Sequence, residues 1–314
     1  MILILADSTD PWGVALSRRL ALRGEPYVIQ DPRQMRNLRS SMMDQAGHWA
    51  HSLTGVYRGV TPPFSEEVPA CRFWSSYESE SDWLSELNSL PCPVVNRLSP
   101  GGVSPCPTGS PAWEAVVRAH GFQVPRLHPG NNRDEAMSWW EMWGGAVYVK
   151  PRSSEQGGLV LSAEEAASYA CTFNPNETLL LAQVSIGQLV SVFVIGGAVA
   201  ATVVRSGWWT DSTTSLSPLG AALLTRCSDM AQSLELSFAE CLLGVGADGK
   251  VSCLDVIGAP NYWSCPGAVH SHVIEKLAVL LSGGGRRTGY ESDLKGDGVS
   301  NAGFSSSVRA PDVR

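Results

Sequence analysis

The chain of 314 residues contains very few lysines, and one of them ends a segment that is typical of a buried β-strand. Only four of its 23 basic residues are lysines: Lys150, Lys250, Lys276 and Lys295. The apolar run 146–150 ends on Lys150, and a polar segment with serines and glycines, 152–158, follows it. Because residues 159–161 are apolar again, the pattern predicts a β-hairpin with a lysine beside its polar tip. A function that needs a particular lysine has very few candidates in this chain.

Cysteine and histidine give no comparable signal. The eight cysteines are scattered, without a C-x-x-C pair or a histidine at zinc spacing, so we expect reduced thiols in a cytoplasmic protein. His270 and His272 lie two residues apart in a predicted helix, where they point in different directions and do not make a metal pair. No local signature identifies a catalytic cysteine–histidine pair.

Eleven tryptophans are many for this length, and two of them are adjacent. Trp208 and Trp209 lie in a polar segment, 205–217, that follows the predicted strand 198–204. Core packing is the default interpretation for a tryptophan, but full burial of both is less natural in a polar segment. The alternative is that the pair lines a groove for a peptide or an aromatic substrate. Both interpretations remain open.

Charge and hydropathy exclude some classes of partner. The formal net charge is −7, and no basic stripe occurs, which argues against nucleic acid. No apolar run reaches 18 residues, so the sequence predicts no membrane span. The apolar start, Met1 to Leu5, lacks a basic leader and a cleavage site; it predicts a first β-strand and not a signal peptide.

The order of predicted elements indicates an α/β protein with several lobes. Residues 2–5, 14–22 and 26–29 predict a strand, a helix and a parallel strand, with too few glycines between the first two for a dinucleotide site. The segment 99–111 is rich in proline, glycine and serine and predicts a linker. We therefore expect four regions: an N-terminal open parallel α/β lobe over 1–98, two α+β lobes over 99–180 and 181–282, and a disordered or weakly ordered tail over 283–314.

The elements after the linker resemble the ATP-grasp superfamily of carboxylate–amine ligases. The matching features are the strand that ends in Lys150, the loop after it, a strand around Gln183, a hairpin through Gly196-Gly197, and the segment Leu254–Pro260. The first lobe is similar to that of ligases that modify ribosomally made precursor peptides, of which the microviridin-type ligases are the nearest group. That similarity rests on Asp10, a helix over 14–22, Val56–Arg58 and Val94–Arg97. It extends from residue 1 to residue 281.

This resemblance implies an ATP and Mg²⁺ site. It places Lys150 on the phosphates, with the loop residues Ser153, Ser154, Gly157 and Gly158 covering them, and Gln183 at the adenine. It places Mg²⁺ on Asp255, with Asn261 as a further candidate ligand, and it makes Arg205 a residue that faces phosphate or substrate. Each of three residues also has a purely structural interpretation: Lys150 as a buried ion-pair partner, Asp255 as a strand-end residue, and Arg205 as a solvated surface residue.

Several positions depart from the superfamily pattern. An acidic residue is expected where the chain has Val184, and an earlier nucleotide lysine where it has Gly109–Pro111. Leu242 and Ile257 stand where the resemblance implies an aspartate and an asparagine that hold metal. Glu240 is a candidate to replace the missing metal ligand, but we expect its side chain to point away from the strand face of Leu242.

Three functions therefore remain. The first is ATP-dependent activation of a carboxylate through an acyl phosphate, followed by amide or ester formation on a peptide of a ribosomal peptide natural-product pathway. The second is a degenerate ATP-grasp scaffold that binds a peptide, or modifies it, without ATP. The third is a small-molecule ligase of secondary metabolism that acts on free amino acids. The resemblance adds a precursor peptide as partner and allows a homo-oligomer.

Overall fold

The structure is a computed structural model that describes part of each of the three predicted lobes. The residues it describes are 1–6, 8–31, 53–58, 87, 90, 92–96, 108–130, 133–143, 146–151, 159–162, 165, 178–184, 187–206, 211–213, 219–258, 260, 265 and 267–283. Helices and strands alternate through the first part, and antiparallel strands follow. The strands are β1 Ile2–Leu5, β2 Tyr27–Gln30, β3 Gly55–Arg58, β4 Val94–Val95, β5 His128–Gly130, β6 Ala146–Pro151, β7 Leu159–Ser162, β8 Leu179–Gln183, β9 Gln188–Ile195, β10 Ala198–Ser206, β11 Asp211–Thr213, β12 Phe238–Val245 and β13 Val251–Ile257. The helices are α1 Pro11–Leu22, α2 Pro111–Ala119, α3 Arg133–Trp143, α4 Ala221–Ser233 and α5 Gly267–Leu281.

The first sheet is parallel, with strand order β2-β1-β3-β4, as the N-terminal α/β lobe requires. Helix α1 begins at Pro11, three residues before the predicted start at residue 14, because the Asp10 carboxylate accepts a hydrogen bond from the Trp12 backbone N–H at 3.1 Å and Pro11 is the first helical residue. Helix α5 packs on α1 through Glu275, which pairs with Arg19 and Arg23. The end of the chain's last described helix therefore closes over the first lobe.

The pKa of Glu275 reflects this contact. Burial acts to raise the pKa of its carboxyl group, but hydrogen bonds and charge from Arg19 and Arg23 outweigh burial, so the pKa lies below its ordinary value. The pair of arginines thus holds the carboxylate ionised at the junction of α1 and α5.

A second, antiparallel sheet has the order β5-β8-β6-β7 and carries the predicted hairpin of β6 and β7. One of its faces packs on α3 through Trp140, Val147, Val149 and neighbouring leucines. Its other face carries Tyr148, Ala182 and Val184. Strand β8 pairs with β6 along its whole length, so the predicted boundary at residue 180 falls inside a strand.

The third sheet is antiparallel, with the order β11-β10-β9-β12-β13. Strands β9 and β10 form the predicted hairpin, and its turn residues Gly196 and Gly197 have φ of 58° and 79°, which glycine adopts without a Cβ penalty. One face of this sheet packs on α2 and α4. The opposite face packs at one end on α1, α5 and the first sheet, and at the other end on the second sheet.

The α/β class and the lobe architecture are therefore confirmed. Part of the segment predicted as a linker forms a helix start, since Ser110 caps α2 by accepting from the Trp113 N–H at 3.2 Å and Pro111 is its first residue. Residues 284–314 of the predicted tail lie outside the described residues. No described helix is long and apolar enough to cross a membrane.

Candidate functional site

The side chains that could do chemistry meet on one face of the third sheet. They lie between the end of that face that packs on α1, α5 and the first sheet and the end that packs on the second sheet. Because side chains alternate along a strand, Ser191, Phe193 and Ile195 of β9 share this face, while Val190, Val192 and Val194 face α2 and α4. The register sets Ser191 opposite Leu242 of β12, and Leu242 opposite Asp255 of β13. Leu242 therefore lies between Ser191 and Asp255 in one row across the sheet.

A β-bulge directs Asp255 to this face. The pairing of β12 with β13 shifts between Leu242 and Leu243, so Leu254 is the extra residue. Leu254 packs with Leu242 and Tyr148, and Asp255 hydrogen-bonds the same tyrosine. Both therefore point toward the second sheet, although they are adjacent in a strand.

Lys150 and Asp255 form a buried ion pair. The side chain of Lys150 is 9% exposed and that of Asp255 0%, and Lys150 Nζ lies 3.0 Å from Asp255 Oδ2. Lys150 also donates to Thr108 Oγ1 at 3.0 Å. The structure thus brings together the residue predicted to contact phosphate and the residue predicted to hold metal, 105 positions apart, in direct contact.

The remaining acceptor capacity of Asp255 is used by its neighbours. Oδ2 accepts from Tyr148 OH at 3.0 Å, while Oδ1 accepts from Thr108 Oγ1 and from the Val256 N–H, the latter at 2.8 Å. Burial raises the pKa of Tyr148 well above its ordinary value, and the nearby Asp255 carboxylate raises it further, so the phenol keeps its proton and donates. A carboxylate has about four lone-pair sites, and these donors occupy them.

A second ion pair lies on the same face. Arg205 pairs with Glu240 Oε1, and its Nε donates to Ser191 Oγ at 2.7 Å. Ser191 in turn donates to Glu240 Oε1 at 2.6 Å. The glutamate is 1% exposed and the arginine side chain 17%. Arg205 is therefore not a solvated surface residue but part of a largely buried cluster.

The expectation that Glu240 points away from the face of Leu242 is wrong. Residues two apart in a regular strand share a face, and the register of β12 on β9 places Glu240 opposite Phe193 and Leu242 opposite Ser191. We call the two ion pairs with Ser191, Thr108 and Tyr148 the polar strip.

Gln183 lies at the end of β8 and away from the ion pairs. It is exposed, and its side-chain amide donates to the Trp143 backbone carbonyl at 3.3 Å. Near it, the rings of His128, Trp139 and Trp143 contact one another, tilted or edge-on, with centroids 4.6–5.3 Å apart. Burial lowers the pKa of His128, and the charge of Arg126 lowers it further.

The other predicted site residues lie outside the described residues. These are the covering-loop residues Ser153, Ser154, Gly157 and Gly158, the tryptophans Trp208 and Trp209, and Asn261. Their roles stay predictions.

Comparison with solved structures identifies the architecture. The ATP-grasp ligase PsnB complexed with minimal precursor is similar over 89% of this chain and 97% of its own, with a TM-score of 0.58 and 15% sequence identity. The macrocyclase MdnC bound with precursor peptide MdnA from Microcystis aeruginosa MRC matches 89% of this chain and 98% of its own, with a TM-score of 0.60 and 10% identity. The chain has an ATP-grasp fold. A RiPP-associated ATP-grasp ligase from Chryseobacterium gregarium, in complex with ADP and a leader and core peptide, covers 89% of this chain and 96% of its own at a TM-score of 0.56 and 10% identity.

The likeness lies in the fold and not in the sequence. No protein-family model matches the chain, and no curated protein matches it. Since the identities are low, the ATP-grasp fold is what the solved structures establish for this chain.

The polar strip does not fit the Mg²⁺ ion that an ATP-grasp fold implies. Mg²⁺ requires a nearly octahedral set of oxygen ligands. Asp255 is surrounded by protein donors, and Leu242 and Ile257, which are buried, have no side-chain oxygen. Within the described part of the chain, no group of three or more histidine, cysteine, aspartate or glutamate side chains could hold a metal. No reaction step through Mg²⁺ or ATP follows from this geometry.

Sequence reasoning missed three members of the strip: Tyr148, Thr108 and Ser191. Tyr148 precedes Lys150 by two residues in a predicted strand, so a shared face was available as a signal. Thr108 lies in the segment interpreted as a linker, and nothing local to it indicates a contact with Asp255.

Three buried thiols have raised pKa values. Burial raises the pKa of Cys265 to about 12, helped by Glu240 and opposed by Arg205. Burial also raises the pKa of Cys253, while Cys241 is raised chiefly by its contact with Cys227. These side chains behave as small apolar core residues and not as nucleophiles.

Proposed function

We propose that this chain acts on a ribosomally made precursor peptide in the biosynthesis of a peptide natural product. The observation that carries the proposal is the extent of the fold likeness: it spans 96–98% of three ATP-grasp proteins whose structures contain precursor, or leader and core, peptides. The likeness thus extends over nearly the whole length of each of these proteins. A precursor peptide is therefore the partner that this fold supports best.

The polar strip favours peptide binding without magnesium-dependent nucleotide chemistry. The two carboxylates of the strip, Asp255 and Glu240, are each already neutralised by a basic side chain of the chain itself. The positions of Leu242 and Ile257 supply no metal ligand. The chain would then hold the peptide as a scaffold, with Trp208 and Trp209 proposed as part of the peptide groove and Arg205 facing it.

ATP-dependent ligation is the second candidate, and the retained Lys150 favours it. This lysine is the penultimate residue of β6, before the predicted covering loop, and Gln183 ends the neighbouring strand β8. PsnB has been solved with minimal precursor, Mg and ADP. Under this candidate, Lys150 and Arg205 act on phosphate and on the carboxylate being activated, and Asp255 must release Lys150 to take up Mg²⁺.

Calorimetry on the full chain tests the proposal. The ligands are peptides from short reading frames next to its gene, titrated once in EDTA and once in Mg²⁺ with ATP. We expect one peptide to bind in both conditions with the same affinity and without release of ADP. Failure of all of these peptides to bind in both conditions would overturn the proposal.

Two variants separate the candidates. If ligation occurs, peptide-dependent ADP release is abolished in Lys150→Ala but retained in Lys250→Ala, whose lysine lies in an exposed ion pair with Asp248. If the scaffold interpretation holds, neither variant releases ADP, and peptide affinity falls when Trp208 or Trp209 is changed to alanine.

A further inference from the structure

We infer that Asp255 and Glu240 are not metal ligands but fixed counter-ions that hold Lys150 and Arg205 in place, so that the polar strip takes no divalent cation. This refines the chemistry of the site in the proposed function and rests on that proposal for the identity of the site. The argument begins with charge. Lys150 and Arg205 carry two positive charges, and Asp255 and Glu240 carry two negative ones; Lys150 comes from the second sheet and the other three from the third.

Removing either cation from its carboxylate would leave buried charge without a partner. Asp255 is 0% exposed and Glu240 1%, and an unpaired carboxylate at such a site is strongly unfavourable. A divalent ion would have to replace the Lys150 ammonium and also turn the oxygens away from Tyr148 and Thr108. Mg²⁺ gives up its water reluctantly, which adds to this barrier.

An apolar side chain interrupts the row of polar groups that contains Asp255. Leu242 lies between Ser191 and Asp255 in the row across the sheet, and its side chain packs with Leu254 and Tyr148. Leu242 is 3% exposed, so no water layer separates these apolar groups. Leu242 therefore supplies no oxygen ligand at the position beside Asp255.

The strip therefore presents positive groups that are already oriented. Lys150 is held by Asp255 and Thr108, and Arg205 by Glu240 and Ser191. An anion that reaches this face, such as a phosphate or a peptide carboxylate, meets an ammonium and a guanidinium directly, without an intervening cation. In this arrangement Asp255 and Glu240 are positioning residues.

The test uses ATP as the probe and the full chain. Its dissociation constant is measured by calorimetry in EDTA and in excess Mg²⁺, with wild type, Asp255→Asn, Glu240→Gln and the control Asp248→Asn. Asp248 is an exposed carboxylate outside the strip. We expect Mg²⁺ to change the wild-type constant by less than about twofold, or ATP to fail to bind in both conditions.

The opposite result is specific. If Mg²⁺ tightens ATP binding by about tenfold or more, and this gain is lost in Asp255→Asn or Glu240→Gln but kept in Asp248→Asn, the carboxylates are metal ligands and the inference is overturned. If the gain survives all three substitutions, the metal is held by other residues and the inference stands.

A second measurement needs no substitution. Wild-type chain with labelled leucine methyl groups is observed by NMR while Mn²⁺ and ATP are added. Leu242 and Leu254 contact the residues around Asp255, so a Mn²⁺ ion there would broaden their signals selectively, whereas Leu16 in α1 serves as a reference. We expect no selective broadening; its appearance overturns the inference.

These outcomes are distinct from those of the proposed function. A chain that binds its peptide and also takes Mn²⁺ beside Leu254 refutes the counter-ion role but leaves the peptide proposal intact. A chain that binds no peptide and no metal refutes the peptide proposal but leaves the counter-ion role intact.

Discussion

Lys150→Met removes one charge of the buried ion pair and leaves Asp255 enclosed with no cation. Since the Asp255 side chain is 0% exposed, the loss falls in the range for a broken buried pair, about 3–5 kcal/mol of unfolding free energy. Asp255→Asn leaves the Lys150 ammonium, which is 9% exposed, without a counter-charge. It lowers the unfolding free energy by a similar amount, about 3–5 kcal/mol. The double variant contains no charge at the site. Its asparagine still offers a carbonyl oxygen to Tyr148 and an amide to Thr108, so its loss is about 1–3 kcal/mol.

The non-additivity of this cycle is the measurable quantity. The two single losses exceed the double by at least about 3 kcal/mol, which is the upper end of couplings found between contacting residues. Urea unfolding followed by tryptophan fluorescence and by circular dichroism gives all four free energies. The matched cycle is Lys250→Met with Asp248→Asn, an ion pair of 2.7 Å in which the side chains are 65% and 55% exposed, and there we expect no measurable coupling.

A small coupling at the buried pair would refute this reasoning. If Lys150→Met costs less than about 1 kcal/mol, as surface pairs do, the ion pair is open in solution and Lys150 is available to a ligand. The case for a strip without metal would then fail together with the stability prediction.

Three further predictions concern the contact of Gly55 with α5, the ion pairs of Glu275 and the buried thiol of Cys265. Gly55→Ala should cost about 1–3 kcal/mol in urea unfolding, because a Cβ there would lie 2.5–2.9 Å from the Leu281 backbone, whereas Gly267→Ala, with open space around it, should be near neutral; equal losses would contradict the close approach of β3 and α5. Glu275→Gln should lower stability at pH 7 by about 0.5–1 kcal/mol, since the pair is half exposed, and 1 M salt should reduce the loss. Because the folded-state pKa of Glu275 is below its ordinary 4.5, this stabilisation is present above pH 4.5 and disappears as the pH falls through the folded value; a loss that persists at pH 2 would contradict it. Alkylation of the native chain at pH 8, read by mass spectrometry, should leave Cys265 unmodified because its pKa is about 12, and rapid labelling there would show that the core opens.

Local patterns predict much of the fold. The apolar run 2–5 predicts β1, the capping residue Asp10 predicts the start of α1, and the apolar run 26–29 predicts β2. Each of these signals depends on neighbouring residues alone. The same holds for the hairpin of β9 and β10, whose two turn glycines accept positive φ. Helix α3 and the three-residue strand β5 were not predicted; β5 contains Pro129, which is depleted in strands and indicates a turn.

The site could be predicted only in part. Lys150, Asp255 and Arg205 were identified as candidates, but their partners depend on contacts between distant segments. The bulge at Leu254 turns Asp255 toward Lys150, and no sequence rule gives its position in β13. Thr108 reaches the pair across 147 residues, so it has no local signal. The paired state of Lys150, which decides between phosphate contact and counter-ion, follows from packing and not from its place at a strand end.

The arrangement also accounts for the apolar residues at positions 242 and 257. Leu242 joins the apolar contact with Tyr148 and Leu254, and Ile257 is buried at 5% exposure. Apolar side chains at these positions add buried surface, while each remaining carboxylate keeps a basic partner. A buried carboxylate needs a counter-charge, and Lys150 and Arg205 supply it here.

The most direct test of this account is a crystal structure of the full chain grown with Mg²⁺ and a non-hydrolysable ATP analogue. The account predicts that Lys150 Nζ stays about 3.0 Å from Asp255 Oδ2 and that no Mg²⁺ contacts either buried carboxylate. A Mg²⁺ ion at about 2.0–2.1 Å from Asp255, with Lys150 turned to the phosphates, would contradict it.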